Sequence, residues 1–142
     1  MPEQNFKNHG RYIPGYHFVT SLALIALLVG SIINLCTSAK ENLYSASLIC
    51  LSTLIMFALY WYLREFALKA QDRAIRAEEN FRHYILTGKP LPKDIRMGQI
   101  IALRFAPDEE FPELAMRAVN ENLAAKDIKK AIQNWRADHH RV

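Results

Sequence analysis

Charged residues vanish from two long stretches of this 142-residue chain and crowd the remainder. Between Ile13 and Ala39 no side chain is charged unless His17 is protonated, and between Leu43 and Leu63 none is. About 20 uncharged, mostly apolar residues cross the roughly 30 Å hydrocarbon core of a bilayer as a helix. The pattern therefore predicts spans over about 13–37 and 43–63. Ser38-Ala39-Lys40-Glu41-Asn42 leaves room only for a tight turn, so the expected form of residues 13–63 is an antiparallel transmembrane hairpin. The first run exceeds the roughly 7–15 apolar residues of a signal-peptide core and a second span follows at once, which predicts an uncleaved anchor.

Past Leu63 the period changes to that of a solvated helix. From Arg64 to Leu86 there is no Gly or Pro, and Glu65/Lys69, Asp72/Arg76 and Glu79/His83 are i,i+4 pairs with the acid first. That order supports a helix. Phe66, Ala67, Ala70, Ala74, Ala77, Phe81, Tyr84 and Ile85 fall in one arc of about 100°, away from the ion pairs. Gly88, Pro90 and Pro92 stop the run. The second span is thus expected to continue as a cytosolic extension over 64–87, one helix of about 40 residues or roughly 60–65 Å. Its four alanines form a seam that would accept a partner helix, from a second copy or from the chain's own C-terminal region.

Residues 88–142 carry three further helical patterns: Ile95–Phe105, Phe111–Leu123 and Ile128–Trp135. Asp108-Glu109-Glu110 precedes the middle one and suits the positive end of its dipole, as a solvated helix start. Pro112 fits a first turn, and Asp127 is placed to cap the last helix. About 50 residues make a marginal core, so these helices are expected to pack on each other and on the apolar arc of the long helix, with Trp135 as an anchor. The predicted fold class is all-α: a two-helix transmembrane hairpin, its second helix extended into the cytosol, and a short C-terminal helical bundle.

Orientation follows from basic residues near the span ends. Lys7 and Arg11 precede the first span, Arg64, Lys69, Arg73 and Arg76 follow the second, and the loop offers Lys40 beside Glu41. Both termini, including a tail over 1–12, are therefore expected in the cytoplasm. Tyr12, Tyr16 and Phe18, with Tyr60, Trp61 and Tyr62, form an aromatic belt at that side, and Tyr44 marks the other. Within the spans Gly30, Ser31, Asn34, Ser45, Ala46, Ser47 and Ser52 permit close helix packing, within the hairpin first and between copies second. Without an intramembrane Asp, Glu, Lys or Arg, a proton or ion pathway is disfavoured. His17 reads as a headgroup-level anchor rather than a haem ligand, and Cys36 and Cys50 as apolar filling.

Composition narrows the function classes further. Residues 64–142 hold 15 Lys and Arg against 12 Asp and Glu, a net of +3 too dilute to predict nucleic-acid binding. Arg64, Lys69, Arg73 and Arg76 are candidates for contact with anionic lipid headgroups. Thr87-Gly88-Lys89 lacks the first glycine of a phosphate loop and reads as a helix cap. Asp108-Glu109-Glu110 lacks calcium-loop spacing, and the adjacent His139 and His140 would chelate poorly. No catalytic residue, cofactor site or metal site emerges, and a non-enzyme is expected.

Four segments carry a resemblance over nearly the whole chain. They are Asn5–His9 with Tyr12–Phe18; Phe66–Asn80; Ile100–Ala106 with Asp108–Phe111; and Ile128–Ile132 with Trp135–Asp138. Together they resemble a family of small, two-span membrane proteins of unknown function found in Bacteroidota and related bacteria. The resemblance implies a bacterial inner (cytoplasmic) membrane location and no assigned activity. The expected role is a non-catalytic scaffold or accessory protein that presents a cytosolic helical domain for protein–protein association. The alternatives are an auxiliary subunit of a transporter or respiratory complex, and a ligand-binding or sensory module. Expected partners are membrane lipids and either a second copy or another membrane protein. Helix-packing candidates are Gly30, Asn34, Ala67, Ala70, Ala74, Ala77 and Trp135.

Overall fold

The computed structural model describes residues 5, 6, 8, 10 and 12–138. The expectations placed on Lys7, Arg11, His139 and His140 lie outside the described residues. Among those described there are five α-helices and no strand: α1 (Ser21–Thr37), α2 (Leu43–Thr87), α3 (Met97–Leu103), α4 (Phe111–Asn120) and α5 (Ala125–Ala131). A π-helical turn, Gly15–Thr20, leads into α1, and a 3₁₀ turn, Lys40–Asn42, leads into α2. The Thr20 hydroxyl donates to the Gly15 carbonyl, five residues back, at 2.9 Å, and the Ser21 hydroxyl lies 2.7 Å from that of Tyr60.

Two helical stretches are long and apolar enough to cross a membrane, Gly15–Thr37 and Lys40–Thr87. The chain divides into two compact units, residues 11–66 and residues 67–142 with 1–10. In the first unit the usual burial pattern is inverted. Ser31, Ala46 and Thr53 are its buried residues, whereas Leu22, Ile33, Leu51, Leu54 and Leu63 are exposed. Burying the hydroxyls costs little because Ser31 donates to the Leu28 carbonyl and Thr53 to the Ile49 carbonyl, both at 2.9 Å. At the other end of this unit Tyr16 and Tyr60 bond reciprocally. Each hydroxyl donates to the other's backbone carbonyl, at 2.7 and 3.0 Å, with the rings stacked 4.4 Å apart.

The second unit is built like a soluble domain. Ile100, Leu103, Phe105, Phe111 and Ile128 are completely buried, and Ile75 of α2 joins their cluster. Helix α4 buries Phe111, Leu114, Ala115 and Ala118, the face its spacing predicts. Just past its end stands Asn122, whose φ of +50° lets the Leu123 amide reach the Ala118 carbonyl at 3.0 Å. Gln99 ties α3 to this end: its amide nitrogen donates to the carbonyls of Ala118 and Leu123 at 2.8 and 3.0 Å. Gly88, at φ +72°, closes α2 as a helix cap and donates to the Tyr84 carbonyl at 2.8 Å.

Three local expectations are corrected. The last helix runs Ala125–Ala131 rather than 128–135, and Ala124 rather than Asp127 stands at its N-cap. Gln133, Asn134 and Arg136 are held instead by tertiary bonds, and Trp135 does not lie on a helix. Glu79 pairs with Arg82, not His83.

Candidate functional site

The largest concentration of buried polar chemistry lies where α2, past residue 66, meets α3–α5. Within one turn α2 places Glu79, Arg82 and His83 on the same side. The Arg82 guanidinium uses all of its nitrogens. Nε donates to Asp108 at 2.7 Å, Nη1 to Glu79 at 3.0 Å and Nη2 to the Ala106 carbonyl at 2.7 Å. Its carbon lies 4.4 Å from the centre of the Phe111 ring, near enough for a cation–π contribution. Arg82 therefore clamps the segment between α3 and α4 onto α2.

Glu79 is the partner that sits least comfortably. Its burial pushes the carboxyl pKa above the ordinary carboxylate range, although the Arg82 charge and hydrogen bond pull the other way. A carboxyl whose folded pKa is raised contributes stability below its unfolded pKa and loses it as pH rises through the folded value. Glu79→Gln is already neutral, so it should gain on the native protein as pH goes from about 4 to 7. Unfolding midpoints of both proteins across that range check this; a constant difference would remove Glu79 as the titrating group.

His83 is 4% exposed, and its Nε2 has no hydrogen-bond partner among the described residues. Its Nδ1 lies 2.7 Å from the Lys89 carbonyl, which only accepts, so Nδ1 carries the proton. The ring edge rests on Phe111, with centroids 5.8 Å apart. Asn80 accepts from the Leu91 amide at 2.9 Å, so α2 holds the connector that follows Gly88 at two points.

Beside this cluster lies an open cleft of about 370 Å³, lined in part by Gln71, Glu78, Glu79, Arg104, Arg136 and Asp138. Arg104 is buried and pairs with Asp138 at 3.2 Å. The cleft mixes both signs of charge, with the carboxylates of Glu78, Glu79 and Asp138 beside the guanidinium groups of Arg104 and Arg136. Among the described residues no group of three His, Cys, Asp or Glu side chains could hold a metal ion.

The residues singled out in the sequence lie elsewhere. Gly30 and Asn34 are exposed on α1, where a Cβ on Gly30 would meet nothing within 4 Å. Ala70, Ala74 and Ala77 are exposed and Ala67 half-buried. The C-terminal helices do not pack on the apolar arc: Phe66, Phe81, Tyr84 and Ile85 stay exposed, while Ile75, Glu79 and His83 on the far side are buried. Trp135 packs on Phe105, at 4.9 Å between ring centroids. Of the basic candidates, Arg64 is half-buried with its guanidinium 6.0 Å from the Tyr16 ring, and Lys69, Arg73 and Arg76 are exposed.

The acidic run also departs from expectation. Asp108 receives Arg82, and the Glu110 carboxylate accepts from the Gln133 and Asn134 amides at 3.0 Å each. Only Glu109 fits the expected solvated start. The residues that sequence reasoning missed are thus Glu79, Arg82, His83, Gln99, Asp108 and Glu110. Glu79, His83 and Gln99 are polar groups facing into a core, which periodicity assigns to solvent, and Asp108 and Glu110 bind partners more than 20 residues away.

A family described as "Family of unknown function (DUF6526)" matches residues 1–142. The chain belongs to that family. No curated protein matches it, and no solved structure does. Membership of the family brings no reaction, ligand or partner to this cluster.

Proposed function

We propose that the chain is a non-catalytic scaffold or accessory protein of the bacterial inner membrane, anchored by a two-span hairpin with both termini in the cytoplasm. The observation that carries the reading is the inverted burial of residues 13–63. Most large aliphatic side chains point outward there and the buried residues are Ser31, Ala46 and Thr53, which suits a lipid surround in which helices meet through small residues. The cytosolic reading of residues 64–142 is supported by their dense charge and by a core built from α3–α5 and Ile75. The polar cluster around Arg82 then serves to fix that unit on α2 rather than to perform chemistry. Most of its donors and acceptors pair within the unit, and His83 Nε2 is buried without a hydrogen-bond partner among the described residues.

A second reading, an auxiliary subunit of a larger membrane complex, draws on one observation. Asn34 is exposed on α1, one turn before the helix ends, with its Oδ1 3.5 Å from the Ser38 hydroxyl, and its amide NH2 would suit an acceptor on a neighbouring span.

Topology is tested with single cysteines at Asn42 and Gln133, both exposed, in a chain whose Cys36 and Cys50 are replaced by Ser. In spheroplasts an impermeant maleimide should label Asn42→Cys at once and Gln133→Cys only after lysis. The reverse pattern, or labelling of both from one side, would overturn the orientation.

A further inference from the structure

We infer that the uncovered face of α2 beyond residue 66 docks on the same face of a second copy, as a short parallel coiled coil. The inference rests on the membrane reading above and names the partner it left open. Ala67, Ala70, Ala74, Ala77, Phe81 and Tyr84 succeed one another in alternating steps of three and four, the a and d spacing of a heptad seam. At 100° per residue this seam lies about 170° from the side that Ile75, Glu79 and His83 bury; Ala74 lines the cleft beside Arg104 and Asp138, and all the seam residues but half-buried Ala67 are exposed. Four of the six seam residues are alanines, which lets two backbones approach closely. Phe81 is 64% and Tyr84 55% exposed within one copy, and together they supply most of the apolar surface to be covered.

Charge fixes the occupant. In this register Arg73 flanks the seam on one side at a g position and Glu78 flanks it on the other at an e position, and both are exposed. In a parallel pair a g residue meets the partner's e residue five positions further on. Arg73 therefore faces the partner's Glu78, and symmetry makes the contact twice. An antiparallel pair would instead set g against g and e against e, bringing like charges together. Copies held in one bilayer by the same spans are parallel, with equal residues at equal depth. Two and a half heptads fall short of a stable coiled coil in solution, but the common membrane supplies the high effective concentration that a short seam needs.

The test uses the full chain in native membranes, with Cys36 and Cys50 replaced by Ser. Under mild oxidation Ala77→Cys, at a d position, should cross-link to a dimer, and Arg76→Cys, exposed one residue earlier and off the seam, should not. In the Ala77→Cys background Arg73→Glu or Glu78→Arg alone should lower dimer formation about tenfold, since each replaces two attractive contacts by two repulsive ones. The two reversals combined should restore it. No cross-link at Ala77→Cys, equal cross-linking at Arg76→Cys, or no rescue by the double reversal would each overturn the pairing. A chain that keeps the expected Asn42 and Gln133 labelling without cross-linking loses the pairing alone; one that cross-links with reversed labelling loses the orientation alone.

Discussion

Arg82→Ala should destabilise the 67–138 unit by about 3 kcal/mol, the low end of the range for breaking a buried ion pair. The low end applies because one partner, Asp108, has a side chain 59% exposed and can return to water. Glu79 cannot: its side chain is 9% exposed, and it would be left with a desolvated carboxylate. The Ala106 carbonyl would lose its donor as well. For a unit of this size each kcal/mol moves the unfolding midpoint by roughly 4–8 °C, so a loss on the order of 10–20 °C is expected. Arg82→Lys keeps the charge but not the fork that reaches Asp108, Glu79 and Ala106 together, and should recover less than half of the loss. Arg82→Ala combined with Glu79→Gln should cost less than the sum of the two, because the stranded carboxylate is gone. An Arg82→Ala protein with an unchanged midpoint would mean that the clamp does not hold this unit.

Phe105→Ala should be as damaging, at about 3–5 kcal/mol, from lost burial and the cavity left behind. Phe105 is completely buried, and three neighbours depend on it: its ring packs on Trp135, and the guanidinium of Arg104 and ammonium of Lys129 lie 4.8 and 5.5 Å from its centre. The Phe105 carbonyl also accepts from the Arg136 amide at 2.8 Å. Truncation should free the segment after Ile132 and expose Trp135 before global unfolding. In a Trp61→Phe background Trp135 is the sole Trp, so its emission should shift to the red in native conditions. Met116→Ala, at a side chain 48% exposed, serves as control and should change stability by no more than about 0.5 kcal/mol. An unshifted emission with intact stability would place Trp135's support elsewhere.

Local physics wrote much of the architecture into the sequence directly. A run without Gly or Pro continues as helix because its backbone groups are satisfied within four residues. Hence α2 could be drawn from Leu43 to Thr87, with its stop at Gly88, from an uncharged stretch followed by i,i+4 acid–base pairs. The face of α4 was legible for the same reason: Phe111, Leu114, Ala115 and Ala118 recur at helical spacing and all are buried. The start and end of α5 were not, because the segment past Ile132 is held by the Glu110 carboxylate and the Phe105 carbonyl in place of a helical ladder.

The tertiary structure alone decided which side of α2 the C-terminal unit covers. Hydrophobic periodicity pointed to the arc of Ala70, Ala74, Ala77 and Phe81, yet the covered side holds Glu79, Arg82 and His83. A polar face can be buried only when each of its groups finds a partner. Arg82 finds Asp108 and Ala106, 26 and 24 residues away, and His83 the Lys89 carbonyl. Partners at that separation leave no periodic trace in the chain, whereas the apolar arc does. The sequence determined where the helices run and which of them are apolar enough for a bilayer; long-range hydrogen bonding, specific to the folded arrangement, determined which faces meet and which stay open.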